Sequence, residues 1–297
     1  MMRASRLRRA GFFALLVSSI ACQGADPGQP GGMNDMNGMN GMDGEGDGNG
    51  ECTGTECPDD PPPAVPTAFR VDQLRLLDPH VYASFLCIDA THDLDMEVAE
   101  QLGADGNGDG ELDLSVLAVF RPLDQAMAST PVEISSGRCT AGASTSCTAD
   151  PATRVPTSAA RQGEGVCMEA LDGTTGYGID VGTTPAPCFR TEPEAISLSF
   201  GDIQIELEDG RLAATYVGDP ATRLDDGIAR GFLPESVADG ILLPADLPLV
   251  GGQPLSSVLP GGNGNCASDE RDVGPDGSTM GWYVYLAFSA VPVTLAE

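Results

Sequence analysis

The sequence predicts a mainly β fold, with an antiparallel β-sandwich as its architecture and a few short helices between long loops. Three observations carry that expectation. Several segments alternate apolar and polar residues with the period of two that a half-buried strand requires. Asp/Gly pairs separate such segments at hairpin spacing. The 38 Gly and 23 Pro among 297 residues favour turns and loops over long helices.

Taken in order, Phe69 to Leu77 alternates loosely and reads as a first strand. Asp93 to Leu102 places Leu94, Val98 and Leu102 at spacing four, a helix with Asp93 as its cap. Leu112, Leu114, Val116, Ala118 and Phe120 alternate cleanly, as a half-buried strand does. Ala195 to Phe200, Ile203 to Leu207 and Arg211 to Val217 read as a meander with hairpin turns at Gly201-Asp202 and Asp209-Gly210. Short helices are expected over Pro234 to Asp239 and Pro254 to Val258. Trp282 to Val293 is the strongest strand, with Tyr283, Tyr285 and Ala287 on one face and Trp282, Val284, Leu286 and Phe288 on the other. Its length and Pro292 argue against a membrane span, which needs ~20 residues.

The N-terminus reads as a targeting segment. Met1 to Arg9 carries four Arg and no acid, and Ala10 to Ala21 is apolar, the layout of a secretory signal peptide. Cys22 follows directly. Ser19-Ile20-Ala21-Cys22 resembles the lipobox of bacterial lipoproteins, although that family usually has Leu where this chain has Ser19. The resemblance implies a lipid on Cys22, and an extracytoplasmic chain anchored to the outer membrane or cell surface by that lipid only. Residues 22–66 hold nine acids, no Arg and Pro61-Pro62-Pro63, a composition that cannot bury a core and reads as a disordered tether. Residues 67–297 then form the β-rich globular domain, after a signal peptide at 1–21.

All 15 basic residues are Arg, against 44 acids and a net charge of −29. The absence of Lys excludes a P-loop lysine and Schiff-base chemistry. The charge argues against nucleic acid or an anionic membrane surface as a partner. A protein or glycan ligand fits the composition without being identified by it.

Nine Cys leave one unpaired in an oxidising compartment, and lipidation of Cys22 accounts for it. The other eight are disulfide candidates. Cys52–Cys57 and Cys139–Cys147 are expected as short loops, with Cys87, Cys167, Cys188 and Cys266 paired in an unassigned way.

One motif carries chemistry. Asp105-Gly106-Asn107-Gly108-Asp109-Gly110-Glu111-Leu112-Asp113 resembles the calcium loops of EF-hand and dockerin-type proteins. Asp105, Asn107 and Asp109 offer hard oxygens at positions 1, 3 and 5. Gly110 permits the turn, Glu111 offers its carbonyl, and Asp113 binds directly or through water. The family's acidic residue at position 12 is Val116 here. A strand leaving the loop carries that position ~10 Å away, so the resemblance implies a helix–loop–strand calcium site, with a further ligand from Asp93, Asp95, Glu100 or water.

Other candidates are weaker. Met33, Met36, Met39 and Met42 offer thioethers that suit Cu(I), but no His or Cys joins them. His80 beside Asp78-Pro79 reads as structural, and Cys87 with His92 forms a nucleophile–base pair only if Cys87 is free. The expectation is a lipid-anchored, calcium-stabilised, disulfide-bonded binding or structural module and not an enzyme. The alternative is a secreted glycan-acting hydrolase using an acidic pair, and a weaker one is metal capture by the Met-rich tether.

Overall fold

The structure is a computed structural model that describes residues 65–296, apart from 84–85, 143–144, 177–179, 201–202, 244, 246–249, 265 and 267–268. The described residues belong to one compact unit that begins at Asp59. In chain order the elements are β1 (Thr67–Asp78), β2 (Tyr82–Ala83), β3 (Ile88–Asp89), α1 (Thr91–Gly103), β4 (Val116–Phe120), β5 (Ser129–Cys139), β6 (Ser146–Ala149), β7 (Val155–Gln162) and β8 (Val166–Glu169). They continue with β9 (Thr183–Pro185), β10 (Cys188–Thr191), β11 (Glu194–Phe200), β12 (Ile203–Val217), β13 (Arg223–Pro234), α2 (Glu235–Gly240), β14 (Asp272–Val273) and β15 (Met280–Leu295).

The fold is mainly β, as expected, but the sheet closes on itself instead of splitting into a sandwich. Strands β1, β4, β5, β7, β10, β12, β13 and β15 pair in that order, each antiparallel to the next. The last returns to the first, from Ala68↔Val293 to Asp78↔Tyr285. The result is an eight-stranded up-and-down barrel in which the two terminal strands cover each other's edges. Closure pairs residues more than 200 apart in sequence (Ala68 with Val293, for example), and local alternation carries no record of that pairing.

The barrel centre is filled. Phe69, Phe120, Phe189 and Tyr216 meet there, with ring centroids 6.1 Å, 5.3 Å and 5.3 Å apart along the series. Val132, Leu212, Leu224 and Phe288 pack around them. Eight strands leave room for little more than such side chains, and each edge-to-face ring contact adds ~0.5–1.5 kcal/mol beyond burial. Along β15 the expected alternation holds. Leu286, Phe288 and Ala290 join this core, and Tyr283, Tyr285 and Ala287 lie on the opposite face.

That opposite face is also buried, because excursions from the barrel cover it. The β8–β9 hairpin lies over Ala213, Ile228, Phe232, Tyr283 and Tyr285, tied down by Cys167–Cys188. The β5–β6 hairpin, closed by Cys139–Cys147, covers Leu117 and Val119. At one end Trp282 and Val284 run into a plug of Leu243, Leu255, Val258 and Leu259, and the Trp282 indole donates to the Pro260 carbonyl at 2.9 Å.

Three local expectations need correction. Asp209-Gly210 is not a hairpin turn. It is a bulge inside the 15-residue β12, with Asp209 at φ 49° and a register shift between Glu208 and Arg211. The close approach requires glycine at 210, because a Cβ there would lie 2.5 Å from Ile196 Cγ1. Helix α1 starts at Thr91, before Asp93, and the Asp89 side chain accepts the Thr91 N–H at 2.9 Å. The strand expected from Leu112 begins at Val116 and is buried on both faces. The hairpin expected around Gly201-Asp202 agrees with the pairing of Phe200 with Ile203, and the two turn residues lie outside the described residues. The helices expected near 234 and 254 are present as α2 and as a 3-10 turn at Leu255–Val258.

Candidate functional site

The calcium-like loop joins α1 to β4, the helix–loop–strand order expected from sequence. Asp105, Asn107, Asp109, Glu111 and Asp113 lie together on it. Asp105 Oδ1 accepts the N–H of Gly108 (2.7 Å) and Asp109 (3.0 Å), and its Oδ2 accepts that of Gly110 (2.8 Å). The loop therefore winds around the first carboxylate. Asn107 Oδ1 accepts from Asp109 and Asp109 Oδ1 from Glu111, each at 2.8 Å. Asp113 Oδ2 returns to the loop start, accepting the Gly106 N–H at 2.9 Å. A Cβ at 106 would sit 2.7 Å from that oxygen, and Gly108 and Gly110 take φ of 79° and 89°, so all three positions are fitted to glycine.

The loop is anchored on both sides. Its end donates from Leu112 N to Cys139 O (2.8 Å), and Gly110 O accepts from Ala141 N (2.9 Å), which fastens it to the disulfide-closed β5–β6 turn. Val116 packs against the barrel core, so position 12 is turned away from the loop. Of the acids considered as a further ligand, Asp95 accepts the Leu76 N–H at 2.8 Å and is committed to the α1–β1 joint. Asp93 lies at the opposite end of the 13-residue helix from the loop, about 15 Å away by helical rise. Glu100, exposed in the last turn, remains.

The donor set fits a hard cation. Each carboxylate or amide oxygen has two lone pairs, and the loop N–H groups use one at most sites. Among the described residues no three His, Cys, Asp or Glu side chains converge as a metal would hold them, and the loop carboxylates are turned onto backbone N–H groups.

A second polar cluster lies where β1 ends, around Asp78, which with His80 reads as structural in the sequence; the sequence does not signal the approach of Asp272 to it. Asp78 is 6% exposed and accepts the Gly176 N–H at 3.3 Å. Burial raises its pKa to about 6, and Asp272 and Glu270 nearby push the same way. Burial likewise raises Asp272, which accepts the Tyr283 N–H at 2.9 Å. Both carboxyls hold backbone segments, Asp78 the segment after β8 and Asp272 the start of β15. The acids come from residues some 190 positions apart (Asp78 and Asp272), so no local motif could have pointed to them. His80 Nδ1 lies 2.7 Å from Asp89 Oδ2. Burial pushes Asp89 up, but hydrogen bonds from Thr91 and His80 outweigh it and lower its pKa.

Cys87 is bonded to Cys266, which rules out its pairing with His92 as a nucleophile. Cys139–Cys147 is the expected pair, and Cys167–Cys188 completes the described set. Three disulfides indicate an oxidising, extracytoplasmic environment. Cys22, Cys52, Cys57 and the Met33–Met42 run lie outside the described residues, as do residues 1–21, expected to be a signal peptide, and all but the last two residues of the expected tether. Among the described residues no helix is long and apolar enough to cross a membrane. Comparison of the chain with known protein families, curated proteins and solved structures gives no match.

Proposed function

We propose that this chain is a lipid-anchored cell-envelope protein whose disulfide-bonded barrel is a calcium-stabilised binding or structural module and not an enzyme. The observation that carries the reading is the loop of Asp105 to Asp113, wound around one carboxylate and fastened to the Cys139–Cys147 turn. Asp105, Asn107, Asp109 and Asp113 would hold the ion with the Glu111 carbonyl. The ion would neutralise their mutual repulsion and fix the joint between α1, β4 and β5. The filled barrel centre supports a module that uses its outer surface and not its interior. The anchor rests on Ser19-Ile20-Ala21-Cys22 and the tether that follows.

The test is calorimetric unfolding of the full chain with calcium and with a chelator. The reading requires a higher melting temperature in calcium, lost in Asp105→Ala and Asp109→Ala. An unchanged melting temperature overturns it. For the anchor, Cys22→Ser should release the protein from the envelope fraction, and retention of the variant counts against lipidation.

A glycan-acting hydrolase is the second reading, and the raised carboxyl Asp78 with Asp272 beside it is the observation in its favour. Their burial and their backbone partners weigh towards a structural role. Hydrolysis of an oligosaccharide panel, abolished by Asp78→Asn in a folded variant, would favour the enzyme.

A further inference from the structure

Three arginines share one stretch of the barrel's outer wall. Ala213, Ile228 and Cys188 face outward beneath the β8–β9 hairpin. Arg211, Arg230 and Arg190 stand two residues from them on β12, β13 and β10, with no register shift between, so they face the same way. Arg211 is directly opposite Arg230. Like charges in that position repel, and a carboxylate partner for each would be the ordinary remedy.

The partners are incomplete. Arg211 has Asp209 at 3.4 Å. Among the described residues neither Arg190 nor Arg230 is in an ion pair, although the chain has 44 acids for 15 Arg. Arg230 donates only to the Glu169 carbonyl, at 3.4 Å, and its Nε is buried with no partner; the same is true of Arg211 Nε. A half-buried guanidinium with a single long hydrogen bond to a neutral carbonyl and an unpaired Nε is costly, and burial lowers the Arg230 pKa.

Arg190 and Arg230 line a depression of about 350 Å³ whose apolar wall is the exposed side chains of Val166 and Leu171 and the half-buried Ala170, with Met168 buried behind them. Glu169 and Asp172 stand at the same depression. Two guanidiniums and two carboxylates leave its formal charge near zero. It therefore suits a monoanion better than a divalent phosphate or sulfate. The guanidinium fork matches a planar carboxylate with two parallel hydrogen bonds, and the apolar wall suits a short carbon body.

We propose that this depression binds a small organic carboxylate, its anionic end held by Arg190 and Arg230 and its apolar body against Val166, Ala170 and Leu171. The proposal rests on the binding-module reading and supplies its ligand class, and it does not involve the calcium loop. The test is a titration of the full chain with hexanoate, followed by NMR of the arginine Nε–Hε signals, with chloride and sulfate at matched ionic strength as controls. The expected result is saturable movement of the Arg230 and Arg190 signals, with affinity falling roughly tenfold or more in Arg190→Gln and Arg230→Gln. Arg190 is exposed, so its variant tests the site even if Arg230→Gln does not fold. Non-saturable movement, an equal or stronger response to sulfate or chloride (an adventitious ion only), or unchanged affinity in Arg190→Gln overturns the proposal. Because calcium-dependent melting is read separately, failure here and failure of the calcium reading are distinguishable.

Discussion

Arg223 on β13 reaches across β15 to Asp72 on β1, with Nη2 3.3 Å from the carboxylate. Ser289, on the strand between, takes a hydrogen bond from the same Arg at 2.9 Å and donates to Asp72 at 2.8 Å. Asp72 lies at the first of two β1 register shifts, between Val71 and Gln73, and has no cross-strand partner on β15. A polar clasp thus closes over the seam where the first and last strands meet.

Arg223→Ala should lower the unfolding free energy by about 1 kcal/mol, since the pair is partly exposed and only the Ser289 link is buried. In a domain of this size that corresponds to a melting-temperature drop of roughly 2–4 °C. Asp72→Ala should cost a similar amount, and the double variant should cost less than the two together. Strict additivity by calorimetry would show that the clasp does not act as a unit.

Calcium should raise the melting temperature through the Asp105–Asp113 loop. At a hundred times its dissociation constant the ion would stabilise the fold by ~2.7 kcal/mol. Glu100→Ala should change the calcium-free melting temperature little and weaken the calcium effect if Glu100 completes the site. Equal calcium shifts in the variant and the native chain would remove Glu100 as a ligand.

The disulfides should differ in worth with the loops they close. The separations are 8 residues for Cys139–Cys147, 21 for Cys167–Cys188 and 179 for Cys87–Cys266. In the chain-entropy account these correspond to ~2.5, ~3 and ~5 kcal/mol. Cys167→Ala with Cys188→Ala should also expose the outer face, and limited proteolysis should cut first within the β8–β9 excursion. First cleavage elsewhere would mean that the hairpin is held by its apolar contacts alone.

Asp78 should give stability a specific pH dependence. Its folded pKa is about 6, above the ordinary carboxyl value of 3.8, so the folded state binds its proton more tightly. The stabilisation is complete below about pH 4 and is lost as pH rises through about 6, a loss of order 3 kcal/mol. Asp78→Asn retains a side-chain carbonyl to accept the Gly176 N–H and cannot ionise. The difference in stability between variant and native chain should therefore grow from pH 4 to pH 7, measured by urea unfolding. A constant difference would place the titration elsewhere.

Legibility from sequence followed the range of the interaction. The two faces of Trp282 to Phe288 were readable because side-chain alternation is fixed by the backbone itself. The calcium-like loop was readable because its ligands and glycines fall within nine residues, and Cys139–Cys147 because eight residues separate its ends. Other strands were obscured. β5 contains Pro131 and Gly137, and β13 contains Asp225-Asp226-Gly227, with Asp226 at φ 47° and a register shift beside it. Both look like loops until neighbours on either side supply hydrogen bonds. Asp209-Gly210 misled for the same reason, because a left-handed residue serves a bulge as well as a turn.

The sequence by itself determined the charge, the exclusion of lysine chemistry, the β character and the local loop. Only the tertiary structure decided that the sheet closes into a barrel, that Cys87 bonds to Cys266, and that buried Asp78 accepts the Gly176 N–H. The physical reason is common to all three. Each joins residues far apart in the chain, and its free energy comes from burial and pairing that exist only once β1 has found β15.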